Sequence, residues 1–411
     1  MSRRVGYPVR SMLDGMTDEA AEVTRSVVPD IPFIRGRGRE QRATYFELFF
    51  DLVYVFAITQ LTHHLLEHLT WAGAAQTAFL LLAVYWAWNY TTWMTNWFDP
   101  ETVPVRLVLA FVMLASLLMA VAIPAAFEDD GLLFAASYVA LQVGRNAFVV
   151  AVTPRGEFNR NFWQILAWSV LSVPLWVGGA FAADATRWII WLVALALDLV
   201  APMARFWLPG RGGTPMSQWQ IDGGHFAERF QLFIIIALGE SIVLTGVTAS
   251  GTGLTPPVLI ALGFAFVGSA ALWWLYFGHV ADSAVRRIST TTTDRVGRIG
   301  RDAYTYLHIP IIAGIILTAV GDELVIAHPT EQLHVAGALV ALGGPALYLI
   351  GLIAFGACIG GARRWPRAVG VLVLLAAIPF AADARGLLVV GLTTALLTAL
   401  VVTEQIRRES R

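Results

Sequence analysis

The sequence predicts an all-α polytopic membrane protein, with about 12 transmembrane helices arranged as two parallel six-helix repeats. Three observations lead there: an apolar, weakly charged composition, a series of apolar runs long enough to cross a bilayer, and a one-sided distribution of arginine. Of 411 residues, 57% are hydrophobic and 14% are charged, with a mean hydropathy of +0.65. Soluble chains carry about 25% charged residues, so a soluble globular domain is excluded. A net charge of −1 argues against a nucleic-acid partner and leaves the lipid bilayer as the expected surrounding. Cys358 is the single cysteine, which rules out an intrachain disulfide and a cysteine-based metal site.

A bilayer core takes about 20 apolar residues per helix. Runs of that kind cover 45–66, 72–95, 105–127, 131–152, 162–182, 185–207, 227–248, 256–279, 303–321, 332–357, 366–382 and 386–404. The last two are short and joined by the tight turn Ala382–Gly386. With the N-terminus placed inside, 25 arginines fall in inside segments. Only Arg187 and Arg385 fall outside, and Arg145 lies within a span. The outside loops carry acids instead: Glu67, Glu128, Asp129, Asp130, Asp184, Asp322 and Glu323. This positive-inside pattern supports an even number of spans with both termini cytoplasmic. No cleavable hydrophobic leader precedes residue 45.

The domain boundaries follow from these runs. Residues 1–43 form an Arg-rich flexible tail, with a short amphipathic helix expected over Thr17–Val28. Residues 44–207 form the first six-helix repeat and 208–226 a Gly/Pro-rich linker. Residues 227–404 form the second repeat and 405–411 a short tail. Placing Phe50 against Phe230 also aligns Leu52 with Leu232, Ala57 with Ala237, Ile58 with Leu238 and Gln60 with Glu240. Asp51 then meets Gln231. Because six spans is an even number, both halves enter the membrane in the same direction, as parallel repeats do.

The first span carries the chemistry that stands out. Glu47 and Asp51 are four residues apart and share one helix face. Carboxylates within a span are costly in lipid, so they face a bundle interior or a water path. Glu47 lies near the interface, where a negative charge also complements the helix dipole. Asp51 lies on the order of 10 Å in from the cytoplasmic end of the span, where the structural alternative is an interhelical ion pair or hydrogen bond. Glu228 and Arg229 open the seventh span. Glu240 sits near its middle with Ser241 beside it, and Gly239 permits close helix approach. Glu240 is a candidate proton carrier, ion ligand or partner of Arg145. Arg145 keeps its charge and requires an anion, for which Asp198 or Glu240 is the simplest choice. That pairing reads as a structural clamp or as a substrate-linked contact.

His308 precedes Pro310, whose missing N–H predicts a kink there. His308 is either part of the polar interior or a core histidine bonded to a tyrosine. His63, His64 and His68 end the first span around Glu67. The His64/His68 spacing suits a metal pair, but nothing else in the sequence joins them, so a polar cap is expected and no metal. In Asn96–Arg106, an Asp99–Arg106 contact is expected to brace a turn. No phosphate loop, nucleophile elbow or zinc-protease motif occurs, so neither enzyme activity nor a cofactor is expected.

The run Glu47–Ile58, the segment Trp93–Pro100 with Arg106, the run Glu228–Ser241 and the segment Tyr306–Gly314 together resemble the bacterial low temperature requirement protein A family. The resemblance covers about residues 40–405 and implies a bacterial cell-membrane protein. The segment Phe49–Thr59 is also similar to the Phe-Ser-Asp motif on the first helix of potassium channels built from six-helix repeats. Here Phe50 replaces the serine and Gln231 stands where the second aspartate would be, so this likeness speaks to architecture more than to ion selectivity. The resulting expectation is a cation- or proton-linked permease or channel. Glu47, Asp51, Glu228, Glu240, Ser241 and His308 would line its path, with Arg145, Asp198 and Arg229 balancing charge. The alternative is a non-transporting sensor or scaffold linked to cold or stress, with purely structural charges. A homodimer is compatible with either.

Overall fold

The computed structural model describes residues 31–35, 41–278, 280–291, 293–360 and 365–409. The helix expected over Thr17–Val28 lies outside the described residues, as do Arg363, Arg364 and the last two residues of the C-terminal tail. The first half consists of α1 (Tyr45–Glu67), α2 (Trp71–Trp97), α3 (Val103–Val121), α4 (Gly131–Val152), α5 (Glu157–Ala180) and α6 (Asp184–Val200). The second half begins with α7 (Gly223–Thr252) and α8 (Pro256–Phe277), then the short α9 (Val280–Ser289) and α10 (Thr293–Ile299). A π-helical turn (Gly300–Tyr306) leads into α11 (His308–Ala327), followed by α12 (His334–Cys358), α13 (Trp365–Ala381) and α14 (Gly386–Glu409). Among the described residues, β pairing is confined to isolated bridges.

Nine helical segments among the described residues are long and apolar enough to cross a membrane, and α13 is a shorter apolar helix. The protein is therefore an all-helical, multi-pass membrane protein. α2 falls below that hydropathy level for a physical reason. It is surrounded by α1, α4, α6, α7 and α11, so its polar residues Asn89, Thr91, Thr92, Thr95 and Asn96 are buried in protein rather than exposed to lipid. The lipid-facing surface is apolar instead, with Phe49, Leu52, Leu107, Leu114, Phe266 and Leu372 all exposed.

Local signals set the helix starts. Thr44 and Glu47 form a reciprocal capping box on α1. Thr70 caps α2 through the Gly73 N–H, and Asp222 caps α7 through the His225 N–H. Prolines occupy the first turns of α3 and α8, where no N–H partner is needed. The turn after α2 uses a different contact from the expected Asp99–Arg106 pair: the Arg106 Nε donates to the Pro100 carbonyl at 3.1 Å.

Two further departures from the sequence reading concern the N-terminal segment and the ninth run. Residues 31–35 fall within the expected flexible tail but are docked: the Arg35 N–H donates to the Trp97 carbonyl at 2.9 Å and the Asp99 N–H to the Phe33 carbonyl at 2.8 Å. The ninth run, expected to end at 321, continues as α11 to Ala327. Asp322 and Glu323, expected in an outside loop, are therefore buried inside a helix. A π turn at Gly300–Tyr306 directly precedes α11. Pro310 lies in the first turn of α11, where its missing N–H breaks no helical bond. The Tyr85 hydroxyl reaches the carbonyls of Tyr304 and Thr305, at 3.1 and 2.9 Å, in the irregular turn.

α11 and α12 are packed closely along glycine. A Cβ added at Gly314 would lie 2.5 Å from the Tyr348 backbone nitrogen, and one at Gly344 would lie 2.5 Å from the Thr318 nitrogen. Small residues let membrane helices approach this closely and gain van der Waals contact.

Candidate functional site

Buried polar residues gather in three places. The first is where the N-terminal ends of α1 and α7 meet the C-terminal end of α2. α1 buries Glu47, Asp51, Tyr54, Ile58, Leu61 and Leu65, a spacing of four and three that makes one stripe against α7. Glu47, expected near the interface, is fully buried. Its Oε2 accepts from Arg35 at 2.7 Å and from the Thr44 N–H at 2.9 Å, and its Oε1 lies 3.0 Å from His225 Nε2 and 3.9 Å from Arg229 Nε. Asp51 Oδ1 accepts from Arg229 at 2.8 Å and from the Trp88 indole N–H at 2.8 Å. Glu228 accepts the Ala43 N–H at 2.8 Å and so ties the segment before α1 onto α7.

The proton on His225 can be assigned from its neighbours. Asn96 Oδ1 accepts the Asp222 N–H at 2.8 Å, while its amide donates to the Asp222 carbonyl at 3.0 Å. That reciprocal pair fixes the amide orientation, so the group 3.0 Å from His225 Nδ1 is an N–H donor. Nδ1 is therefore the acceptor, and Nε2 carries the hydrogen donated to Glu47. His225 is neutral. Arg35 and Arg229 balance Glu47 and Asp51, so this network is electroneutral. A cleft lined by Arg35, Asn96, Gln220 and Asp222 opens beside it.

The second cluster joins α4, α5 and α6. Arg145 was expected to pair directly with Asp198 or Glu240. Among the described residues, no carboxylate lies within ion-pairing distance of it. It donates instead to the Thr91 hydroxyl at 3.1 Å, the Ala87 carbonyl at 3.3 Å and Gln142. Gln142 donates to Tyr138 at 3.1 Å, and Tyr138 donates to Asp198 at 2.9 Å, where Trp176 also donates at 3.0 Å. The two charges are thus linked through two neutral side chains. Arg145 and Gln142 are three apart on one helix, so their side chains meet and the amide lies between the guanidinium and Tyr138. Tyr138→Phe removes one donor to Asp198 and the acceptor for Gln142, and is expected to cost about 1–2 kcal/mol in thermal unfolding of the detergent-solubilised protein.

The third cluster lies toward the C-terminal ends of α1, α7 and α11. Glu240 is almost fully buried, and Thr59 and His63 of α1 face it. Glu323 of α11 accepts from the Thr248 hydroxyl of α7 at 3.0 Å and lies within electrostatic range of both Glu240 and His63. Its Oε2 is buried and has no hydrogen-bond partner. The His63 Nδ1 lies 3.0 Å from the Thr59 carbonyl, which can only accept, so Nδ1 donates and Nε2 remains as the nitrogen that takes up a proton. Among the described residues, no arginine lies within 4 Å of Glu240 or Glu323. Ser241 follows Glu240 directly on α7, and its hydroxyl is 3.5 Å from that of Ser269.

His308 belongs to none of these groups. Its Nδ1 donates to the Ala303 carbonyl at 3.2 Å and its Nε2 accepts from the Tyr276 hydroxyl at 2.8 Å. The sequence reading missed Arg35, Trp88, Asn96, His225 and Glu323. Only His225 had a local signal, the Asp222 cap three residues earlier; the others are placed by helices far away in the chain.

A family model described as Bacterial low temperature requirement A protein (LtrA) matches residues 42–402. An uncharacterized protein of Rhizobium meliloti (strain 1021) is 35% identical over 357 residues, covering 85% of this chain and 87% of that protein. No solved structure matches the chain. Neither match carries the potassium-channel likeness of the first helix.

Proposed function

The chain belongs to the bacterial low temperature requirement A family, and we propose that it is a proton-linked permease or channel-like protein of the bacterial cell membrane. Charge balance is the observation that supports this reading. Glu47 and Asp51 are neutralised by arginines and hold helices together. Glu240 and Glu323 are buried without an arginine, and both lie within electrostatic range of His63. Buried carboxylates without a fixed cation are suited to binding a proton or a cation that comes and goes.

The path would follow the seam of α1, α7 and α11. Between the two polar ends this seam is filled by Tyr54, Ile58, Phe233 and Ala237, as in a closed state. The arginine distribution supports an orientation with the Glu47 end on the cytoplasmic side, the Glu240 end on the other and both termini cytoplasmic. Twelve spans in two repeats are supported by helix neighbours that recur. α1 packs on α2 and α3 as α7 packs on α8 and α11, and α2 packs on α6 as α8 packs on α14. The series α3–α4–α5–α6 likewise matches α11–α12–α13–α14.

Proteoliposomes containing an internal pH dye test the proposal. The wild-type protein is expected to carry protons, and Glu240→Gln and Glu323→Gln each to lower the flux about tenfold or more while leaving the melting temperature unchanged or higher. Flux that is unchanged in both variants overturns the proposal. The second reading, a non-transporting sensor or scaffold, is favoured by the filled seam. It predicts no flux in the wild type and a loss of stability in the same variants.

A further inference from the structure

We propose that Asp322 is a further proton-binding carboxyl, held on a different side of α11 from Glu323. It deepens the transport reading by giving α11 a second site, but the proton on Asp322 does not depend on transport. Asp322 and Glu323 are neighbours in the chain and project about 100° apart around the helix. Glu323 turns to Thr248 of α7. Asp322 shares a face with Ile326, one turn further along. Ile326 is fully buried in one apolar cluster with Ala249 of α7, Ala261 and Ala265 of α8 and Val390 of α14. Asp322 itself is only 6% exposed.

The helices around α11 bring no counter-charge to this carboxyl. Neither α2 nor α8 contains a charged residue. α12 has only His334, its first residue, and α14 has no charged residue before Glu404. Beyond Arg229, α7 has only Glu240. α1 brings His63, His64 and Glu67 to this end of the bundle, and His63 acts on Glu240 and Glu323. Arg301 and Asp302 lie at the opposite end of α11 and pair with each other. Among the described residues, no neighbouring charge or hydrogen-bond donor acts on Asp322, and its Oδ2 is buried without a partner.

The other buried aspartates show what a structural carboxylate has in this protein. Asp51 is held by Arg229 and Trp88, and Asp198 by Tyr138 and Trp176. Asp322 has no such fixed donors. An ionised carboxylate left alone in apolar surroundings is far costlier than the neutral acid, so the group takes up a proton. An acid without partners adds nothing to helix packing, whereas a group that takes and releases a proton has to be an acid.

Infrared difference spectroscopy of the full chain, purified in a detergent without ester groups, tests this. At neutral pH the wild type is expected to show a carboxylic C=O band at the high-frequency end of its range, where groups free of hydrogen bonds absorb. Glu240→Gln combined with Glu323→Gln is expected to keep that band, and Asp322→Asn to lose it. Asp322→Asn and Asp322→Leu are both expected to keep or raise the melting temperature, because neither strands a partner. No such band in the wild type, a band that survives Asp322→Asn, or a lower melting temperature in both Asp322 variants overturns the proposal. The band without proton flux in proteoliposomes supports the Asp322 site and overturns the transport reading alone.

Discussion

Replacing Arg229 with leucine is expected to destabilise the protein by about 3–5 kcal/mol, the usual cost of leaving one side of a buried ion pair without its partner. Arg229 is fully buried and is the only cation in contact with Asp51 among the described residues. It also lies 3.9 Å from Glu47, and its guanidinium stacks over Trp88 with 6.0 Å to the ring centroid. Without it, Asp51 keeps only the Trp88 indole, and Glu47 keeps Arg35 and His225. The measurement is thermal unfolding of the purified protein in detergent, followed by tryptophan fluorescence. The rescue is as informative as the loss. Arg229→Leu combined with Asp51→Asn removes both charges, so it is expected to recover more than half of the lost stability, since a neutral pair of similar volume needs no counter-ion. A melting temperature for Arg229→Leu equal to the wild type would remove the network from the list of interactions that hold α1 to α7.

Gly314→Val is expected to be nearly as damaging, at about 3 kcal/mol or more, through overpacking rather than charge. The position is in van der Waals contact with backbone: an added Cβ meets the Tyr348 nitrogen at 2.5 Å and its Cα at 2.7 Å. Backbone cannot rotate away as a side chain can, so α11 and α12 must separate. That separation also disturbs Glu323, which α11 carries toward Thr248. The same measurement on Gly263→Val is the control, because an added Cβ there meets nothing within 4 Å. Equal stability of the two variants would mean that α11 and α12 yield without cost.

Helix positions were legible in the sequence because they depend on local quantities. The expected run 131–152 and the helix Gly131–Val152 coincide, and 256–279 differs from Pro256–Phe277 by two residues at one end. Apolar length, the capping pair Thr44/Glu47 and the first-turn prolines act within a few residues of themselves, so a one-dimensional reading reaches them. The third and sixth runs were read six and seven residues too long, ending at 127 and 207 against Val121 and Val200, and the ninth was displaced at both ends. A π turn is set by what packs around it, here Tyr85 and Trp93 from α2, and no local signal in 300–306 announces it.

The candidate residues divide in the same way. Their depth along each helix can be counted, so Asp51, Arg145, Asp198 and Glu240 were identifiable as buried charges. Their partners could not be counted. Arg229 meets Asp51 across 178 residues of chain, and Glu323 meets Thr248 across 75. Arg145 reaches Asp198 only through Gln142 and Tyr138. The sequence by itself determined that charges are buried in an apolar helical bundle, because the cost of that burial is written in composition and spacing. Which charges are neutralised and which are left to bind something mobile was decided by tertiary structure. Pairing depends on which helices touch and in what rotation, and neither follows from the order of residues along one helix.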